Sequence, residues 1–570
     1  MAIFTAIGAW LTATFGAFLA GVIANIAVGA ALLGVSALLA GGKAPQSSTP
    51  QAQATINQAV GPRIRGYGKA KLGGTRAFWD SSGGTLYQIV MAHHGRIDAI
   101  ERFFVGDKAV LLDASGYCIS SPFYSYLRIL PQLGTADQTA HAAMLAAWPG
   151  IWTSAHRLRG IANWFVAFNS PPADDYQAIF PEGYNTPVRA QCRLSLVYDP
   201  RDPAQDPDDE ETWLWSDNAS LCILDYLTHK DGYNKTLDDV DIDSFKAFAD
   251  ICAEAIPLAA GGTEPRYRIW GIYRLDEDPQ DVLAKMRAAC DAEFYQTASG
   301  KVAIRGGKWT APTVTIRERD ILGHVMEQGN NRFSAFNELK ILYTSADHDF
   351  QTMEATAWSD LADQAERGVL QASLMLDMVP SASQARRLAK IHVAKSNPAW
   401  KGTVATNIAG LDVLGERTAR LVLPELEIDD AFYVAGLSLR PDLTAVETSV
   451  LSISEAAYLW TSAEEGQSAP LPEDTSPDLT FPVPTGLVLS EPDPGYVQAE
   501  VDDPERDDLD LHLQIRAGAG SLWQEMQVSP GALTGIFGPD ASGMYQVRAR
   551  WRGPLGSGGA WTSPLAEITV

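Results

Sequence analysis

The fold class is decided by Leu86-Tyr87-Gln88-Ile89-Val90-Met91-Ala92 and, after a short polar break, by Ile97-Asp98-Ala99-Ile100-Glu101-Arg102-Phe103-Phe104-Val105. Both stretches are rich in β-branched and aromatic residues, which fit a pleated, half-buried surface. The second stretch runs directly into the turn residues Gly106-Asp107-Lys108. Short runs of this kind joined by glycine turns cover residues 64–113, so the pattern predicts a β-rich domain.

Outward from these strands, the chain alternates between helical and extended patterns. We expect a helix at Ala136–Ala147 and a buried strand at Ile161–Phe168. Two more strands are expected at Lys301–Arg305 and Glu338–Tyr343, and an amphipathic helix at Ser383–Lys395. Strands then resume from Gly402 to Leu451. The chain is therefore predicted to be mainly β, with some α+β parts.

The α+β pattern is clearest between Asp217 and Cys290. Asp243 is predicted to cap a helix, because four apolar side chains follow it at a spacing of 3.6 residues. These are Phe245, Phe248, Ala249 and Cys252. A second helix is predicted to begin after Pro279, a residue that suits the first helical turn.

The last segment has the pattern of a β-sandwich. Its strands are expected at Tyr496–Val501, Leu509–Arg516, Met544–Trp551 and Ala566–Val570. Tyr545 opens one strand and Trp523 lies between strands. A fibronectin type III module has a corner tyrosine and a core indole at similar positions, so the segment resembles that module.

These patterns divide the chain into seven parts, two of which are linkers rich in Pro and Ser. They are an apolar helical arm (1–42), a flexible or extended linker (43–62), a β-rich domain with an inserted helical segment (63–190), an α+β domain (191–315), a β-rich domain with a helix (316–467), a linker (468–484) and a fibronectin type III-like β-sandwich (485–570).

The composition excludes some functional classes. The 69 acidic and 44 basic residues give a net charge of -25, which opposes non-specific binding to nucleic acid, and no local basic patch is expected from the sequence. The five cysteines are widely spaced and form no CxxC pair, so neither a disulfide framework nor a zinc site is expected. We expect the chain to fold in a reducing cytoplasm.

The amino-terminal arm has no charged side chain before Lys43. A helix from Ile3 to Gly41 would be about 58 Å long, nearly twice the thickness of the bilayer core. Small residues at helical spacing favour close packing of such helices, and Asn25 can pair across a bundle or mark a break. The predicted bundle-forming and membrane-contacting residues are Ile3, Phe4, Ala17, Gly21, Asn25, Ala30, Gly34 and Leu38. A signal peptide and an ordinary membrane anchor are the alternatives, but the run lacks a basic start and is longer than a signal peptide's apolar region.

No catalytic or metal motif stands out. His93 and His94 lie on a predicted strand, where neighbouring side chains point to opposite faces, so a structural role is expected for both. HExxH, GxSxG and GxxxxGK[ST] sequences are absent. The acidic runs at Asp199–Glu211 and Asp238–Asp243 lack the spacing of an EF-hand and are predicted to be solvated loops. A glycan hydrolase requires two facing carboxylates, and the sequence nominates no such pair.

Several segments, in order from about residue 61 to about residue 465, resemble the tip attachment protein J family of long-tailed phages. The opening is Tyr67-Gly68-Lys69-Ala70-Lys71-Leu72-Gly73-Gly74, similar to the family's YGRxRxGG start. The matching segments continue with Ile97–Glu101, His156–Ala162, Val197-Tyr198-Asp199-Pro200-Arg201, Trp215–Asn218, Leu224–Thr228, Ile242–Phe245, Ala249-Asp250, Gly271-Ile272, Val282-Leu283, Gly300-Lys301 and Ser381–Ala389.

The resemblance implies a non-enzymatic hub that closes the tail tube as a homotrimer and uses no cofactor. Its implied partners are the distal tail tube, other tail-tip proteins, the tape-measure protein and tail fibre or receptor-binding proteins. DNA would pass through the channel without specific binding, and the implied location is the virion tail tip, after assembly in the host cytoplasm. The chain departs from the family by ending after one fibronectin-like domain and by beginning with the apolar arm.

Three hypotheses remain open. In the first, the arm is held in the hub's channel and enters the host membrane during DNA delivery. In the second, the arm only plugs the lumen or contacts the tape-measure protein. In the third, the chain is an envelope-anchored glycan hydrolase with an accessory domain.

Overall fold

The computed structural model describes Gln53 and residues 61–124, 126–172, 176–177, 179–330, 335–440, 444–467, 470, 481–506, 509–529, 531–539, 542–552 and 559–570. Strands hold 42% of the residues and helices 19%, so the predicted mainly β class is confirmed. The apolar arm, and the helix predicted for it, lie outside the described residues.

The first part of the body contains two packed sheets. Its elements are β1 Ile64–Tyr67, β2 Lys69–Leu72, β3 Thr75–Ser82, β4 Thr85–His94, β5 Ile97–Val105, β6 Lys108–Val110, β7 Leu127–Leu133, α1 Ala142–Ala147, β8 Ile161–Asn169 and β9 Val188–Val197. One sheet has the order β3-β4-β8-β7, and the other is built around β9, which pairs with both β2 and β5. Trp164 meets Phe103 edge-on between them, with ring centroids 5.7 Å apart.

Strand β8 is almost entirely apolar because both of its faces are buried. Trp164 faces the core between the sheets, whereas Phe165 faces a second cluster with Met144 of α1. Both faces of the strand are therefore buried, and an alternating polar pattern would leave unpaired polar groups inside. The strands predicted around Leu86–Ala92, Ile97–Val105 and Ile161–Phe168 are confirmed.

Helix α1 is shorter than the predicted Ala136–Ala147. The side chain of Gln138 folds back on the chain: its Oε1 accepts from the backbone N–H of Gly134 at 3.1 Å, and its Nε2 donates to the backbone oxygen of Arg157 at 3.0 Å. These bonds hold residues 134–141 in a loop, which competes with helix formation. The domain boundary predicted between residues 190 and 191 falls inside β9, which belongs wholly to the first part.

The second part combines helices with short strands around a different core, which we call the helical core. Its elements are β10 Leu214–Trp215, α2 Ala219–Thr228, α3 Ile242–Ala253, β11 Ala255–Pro257, β12 Thr263–Pro265, β13 Gly271–Arg274, α4 Pro279–Ala288, β14 Ala292–Gln296 and β15 Val302–Gly306. The four apolar side chains predicted to line α3 are buried. Asp243 is not its cap: Asp241 holds that position, and Asp243 lies in the first turn, where a carboxylate still favours the helix dipole.

The third part contributes to two cores. Its elements are β16 Val314–Arg317, β17 Ile321–Gln328, β18 Glu338–Ser345, β19 Gln351–Ser359, α5 Leu361–Arg367, β20 Gln371–Leu376, α6 Ala382–Ser396, β21 Trp400–Thr406, β22 Thr418–Leu423, β23 Ile428–Leu439 and β24 Val446–Ser452. The sheet β19-β18-β20 and helix α6 complete the core of the second part. The predicted domain 316–467 is thus shared between the helical core and a separate barrel.

The barrel is closed by one bent strand. Its sheet has the order β16-β22-β23-β24-β21-β17, so β16 and β17 lie at opposite edges. Only Glu318–Asp320 joins these two strands, and the two edges must therefore meet. Ile316, Val404, Leu421 and Phe432 fill the interior.

Buried charges tie the barrel to the helical core. Asp291 and Glu293, beside and on β14, both contact Lys395 of α6 and Arg417 at the start of β22. Burial alone would raise the pKa of Glu293, but Arg417 and Lys395 lower it to about 2. Because removing one partner would leave an uncompensated buried charge, this cluster fixes how the two cores join.

The last described part is a sandwich, as predicted. Its strands are β25 Val488–Ser490, β26 Val497–Glu500, β27 Asp510–Ala517, β28 Gln524–Glu525, β29 Gln527–Val528, β30 Thr534–Phe537, β31 Met544–Arg552 and β32 Ala566–Thr569. They form the sheets β25-β26-β30-β29 and β28-β27-β31-β32. The core indole is Trp551, 2% exposed, rather than the predicted Trp523, which is half-buried outside the core. The fibronectin type III assignment itself stays a prediction.

Candidate functional site

One described residue of the predicted linker 43–62 is fixed to the body. Gln53 is only 6% exposed. Its Nε2 donates to the backbone oxygen of Asp349 at 2.5 Å, and its backbone oxygen accepts from Nε of Arg189 at 3.0 Å. At this residue the predicted flexible or extended linker is held against the body.

Asp349 belongs to a turn, Ser345–Phe350, that follows β18; we call it the docking turn. His348 of this turn contacts the second predicted linker, since its Nε2 lies 3.0 Å from the backbone oxygen of Pro470. Its Nδ1 lies 2.8 Å from Oγ of Ser345, which orients the ring. A single turn therefore binds a residue from each of the two predicted linkers.

The docking turn is conformationally strained. Asp349 and Phe350 both adopt left-handed backbone conformations, with φ of 57° and 56°. Each such non-glycine residue costs about 1–2 kcal/mol. Phe350 is 3% exposed and lies near Trp270, with ring centroids 6.3 Å apart, so packing holds the strained backbone in place. Strain of this kind is concentrated at functional positions.

The buried ammonium group of Lys71 binds the docking turn. Nζ of Lys71, on β2, lies 2.7 and 2.8 Å from the two carboxylate oxygens of Asp349. The Lys71 side chain is 2% exposed, and its Nζ lies 3.8 Å from the ring centroid of Phe104. Sequence reasoning noted Lys71 only as part of a motif and missed the turn, because Lys71 and Asp349 are 278 residues apart.

The paired histidines take different environments, as predicted. His93 is buried: its Nε2 accepts from the backbone N–H of Gly66 at 3.1 Å, and its Nδ1 lies 3.2 Å from the backbone oxygen of Gly95. Burial, together with the nearby charge of Arg65, lowers the pKa of His93 to about 3. The ring is thus neutral at pH 7 and serves as a structural bridge.

His94 faces a cleft of about 390 Å³ between the first and second parts. Its Nε2 lies 3.2 Å from Oδ2 of Asp231, and the same oxygen lies 3.5 Å from Nδ1 of His229. Burial lowers the pKa of His229 to about 4 and also lowers that of His94. This cluster can take up protons in acid. Among the residues that the structure describes, no three His, Cys, Asp or Glu side chains converge as metal ligands.

Segments that carry the family resemblance contact one another in the fold. Oη of Tyr67 donates to Oδ2 of Asp225 at 2.6 Å, although the two residues lie 158 positions apart. Nε1 of Trp215 donates to the backbone oxygen of Gly68 at 3.2 Å. The guanidinium of Arg201 binds Asp250 at 2.9 Å and Asp199 of the predicted acidic loop at 2.8 Å.

The predicted bundle-forming residues, Ile3, Phe4, Ala17, Gly21, Asn25, Ala30, Gly34 and Leu38, all lie outside the described residues. Within the part of the chain that the structure describes, no helix is long and apolar enough to cross a membrane.

No protein-family profile matches the chain, and no curated protein matches it in sequence. Among solved structures, it is similar to a chain from the virion of a native gene transfer agent particle, with 14% identity and a TM-score of 0.50 over 80% of this chain and 98% of that one. It also aligns with a 43 kDa tail protein of prophage MuSo2 from Shewanella oneidensis, with 12% identity and a TM-score of 0.25 over 69% and 94% of the two chains; this alignment is too weak to carry an argument. The first similarity establishes a shared fold over most of the chain.

Proposed function

We propose that this chain is a structural protein of a long-tailed phage or phage-like particle, located in the tail of the virion. The observation that carries the proposal is the fold shared with a gene transfer agent virion chain, which covers 98% of that chain. The resembling segments also pack against one another, as Tyr67 does with Asp225, which is consistent with their acting as one structural unit.

In its finer form, the proposal assigns the chain to the tail-tip hub. Three copies form a closed ring through heterologous contacts, and their β-domains narrow the tube. The neighbours are the distal tube, the tape-measure protein, other tail-tip proteins and the fibres or receptor-binding proteins. The hub needs no cofactor and has no enzymatic activity, and DNA passes through it without specific contacts.

The docking turn gives this proposal a geometric constraint. Gln53 lies ten positions after Lys43, the first residue beyond the apolar arm. An extended chain of this length spans at most about 33–36 Å. If three arms share the central axis, each docking turn must lie within about that distance, plus the arm's radius, of the axis.

The oligomer is tested with the full-length protein by mass photometry and electron microscopy. The expected mass is about 185 kDa, three times 61.5 kDa. Averaged images are expected to show a threefold ring with the docking turns facing its axis. A particle of one or two copies, or docking turns on the outer rim, would reject the hub.

The role of the arm is tested by deleting residues 2–42. Burial of its apolar side chains in lipid is favourable by about 25 cal/mol per Å². If the arm penetrates the membrane, the full chain causes leakage of dye from liposomes and the deletion does not; particles with the deletion adsorb but fail to deliver DNA. Tails that fail to assemble would instead favour a lumen plug or a tape-measure contact.

A further inference from the structure

One face of the carboxy-terminal sandwich carries a row of arginines. Arg548, Arg550 and Arg552 alternate along β31, so their side chains share the outer face, while Val547, Ala549 and Trp551 point into the core. Alternate residues of a strand are about 7 Å apart. Arg516 on the neighbouring β27 extends the row, and we call these four residues the arginine strip.

Two tryptophans are intercalated in the strip. Trp523 lies between Arg516 and Arg548, whose guanidinium carbons are 4.5 and 4.1 Å from its ring centroid. Trp561 lies between Arg548 and Arg550, at 4.1 and 4.4 Å. Cation–π contacts hold the guanidinium groups in fixed positions, and they occupy the faces of both indoles.

The strip keeps its positive charge. Nε of Arg516 donates to Oε1 of Gln546, Nε of Arg548 to Oε1 of Gln514, and Nε of Arg550 to Nδ1 of His512, at 2.8–3.0 Å. All three acceptors are neutral. Within the described residues, no carboxylate lies within 4 Å of any charged nitrogen of the strip, and Nε of Arg552 is buried without a partner.

This arrangement is unusual for a chain with a net charge of -25. The other arginines of the body are commonly paired with acids, as Arg420 is with Asp429 and Arg440 with Glu447. In the strip, burial and then the repulsion from Arg516 lower the pKa of Arg548. An anion placed over the strip would relieve this repulsion.

Neutral and acidic groups flank the strip. The Glu525 carboxylate binds His512 and Gln514, and the Glu567 carboxylate binds Gln546. These carboxylates would repel an uninterrupted polyanion, but they can accept hydrogen bonds from hydroxyl groups. Single-stranded nucleic acid, which binds by stacking its bases on open aromatic faces, finds both indoles already covered.

We propose that the arginine strip binds an acidic polysaccharide, whose phosphate or carboxylate groups contact the guanidinium groups and whose hydroxyls contact the flanking amides and carboxylates. The inference rests on the sandwich alone and holds whether or not the chain is a tail-tip hub.

The test measures binding of the full-length protein to immobilised phosphomannan and polygalacturonate at low salt, with dextran as the neutral comparison. These two probes distinguish phosphate from carboxylate recognition. We expect binding to at least one acidic probe, none to dextran, and a roughly tenfold or larger loss of affinity between about 50 and 200 mM salt. The double variant R548Q/R550Q should lose at least tenfold in affinity.

The matched control is R420Q, which removes one positive charge at an exposed arginine of the barrel and should leave affinity unchanged. If thermal unfolding shows that the double variant loses the sandwich, R552Q decides, because Arg552 lies outside the stacked row; its expected loss is at least threefold. The proposal is overturned if neither acidic polysaccharide binds, if polyglutamate or single-stranded DNA binds more tightly, or if R420Q weakens binding as much as R552Q.

Discussion

Nε2 of Gln53 lies 2.5 Å from the backbone oxygen of Asp349, although 296 residues separate the two along the chain. The contact joins a predicted linker to a strained turn that also receives Pro470 from the second linker. The points at which the amino-terminal arm and the carboxy-terminal sandwich are tethered are therefore set by the same few residues.

Replacement of Gln53 by Ala should loosen this tether without unfolding the body. The variant loses the donor to Asp349 while Lys71 still holds the Asp349 carboxylate. Hydrogen–deuterium exchange should rise in peptides from residues 44–62 and 346–350 and stay constant elsewhere. Gln524→Ala, at an exposed position of the sandwich, is the control, and equal uptake in both variants would contradict a specific role for Gln53.

Replacement of Asp225 by Asn should destabilise the junction of the first and second parts. Nη2 of Arg65 lies 3.0 Å from Oδ2 of Asp225, with side chains only 6% and 2% exposed. Loss of the buried negative charge leaves Arg65 uncompensated, at a cost of about 3 kcal/mol in the free energy of unfolding. Urea unfolding measures this loss of stability.

The control for that change is Asp429→Asn, which breaks the Arg420 pair at a site where both side chains are 54% exposed. Exposed pairs contribute little to stability because solvent screens them, so a much smaller shift is expected here. Similar shifts in the urea midpoint for the two variants would show that burial is not what makes the Arg65 pair important.

Stability should fall in mild acid because of His93. Its pKa is about 3 in the folded protein, against a reference of 6.5, so the unfolded chain binds the proton first. The stabilisation from the neutral ring is complete above pH 6.5 and is lost progressively as the pH falls from 6.5 toward 3, by up to about 1.4 kcal/mol per pH unit.

In His93→Gln, the slope of the unfolding free energy against pH should be smaller between pH 6.5 and 5. The decrease should correspond to at most one proton taken up on unfolding. This window lies above the range, from 4.5 down to about 2, in which Glu293 loses its own contribution. The exposed His156→Gln serves as the comparison. An unchanged slope in His93→Gln would mean that another group binds the proton.

Trp551 and Trp523 of the sandwich should differ in their effect on its stability. Trp551 is 2% exposed, and its replacement by Ala removes core packing at a cost of about 3–5 kcal/mol. Trp523 contributes through its two arginine contacts, so Trp523→Ala should cost about 1–2 kcal/mol. Calorimetry of the full chain resolves these shifts, and a larger loss in the Trp523 variant would contradict the assignment of the core.

The sequence predicted local structure well where the pattern is periodic. The runs at Leu86–Ala92 and Ile161–Phe168 are strands because their residue types favour extended, buried backbone. Two predictions were wrong for local reasons. Asp241, not Asp243, holds the cap position of its helix, and Gln138 stabilises a loop where the helix Ala136–Ala147 was expected to begin.

Contacts between distant segments left no comparable signal. The docking turn combines Lys71, Gln53 and Pro470, and nothing in the local sequence around Asp349 marks these partners. The expectation of no basic patch missed the arginine strip, because its members alternate with core residues on β31 and are joined by Arg516 from another strand. Such sites depend on strand register, which emerges only when the sheet forms.

The bent closing strand of the barrel has a consequence for synthesis of the protein on the ribosome. Val314–Arg317 and Ile321–Gln328 find their partners only when β21 and β22 have been made, and β22 ends at Leu423. At about 5–20 residues per second, the 95 residues from Gln328 to Leu423 take roughly 5–20 s to translate. During that time the nascent segment carries unpaired strand edges, and we expect a holding chaperone to improve the yield of soluble protein.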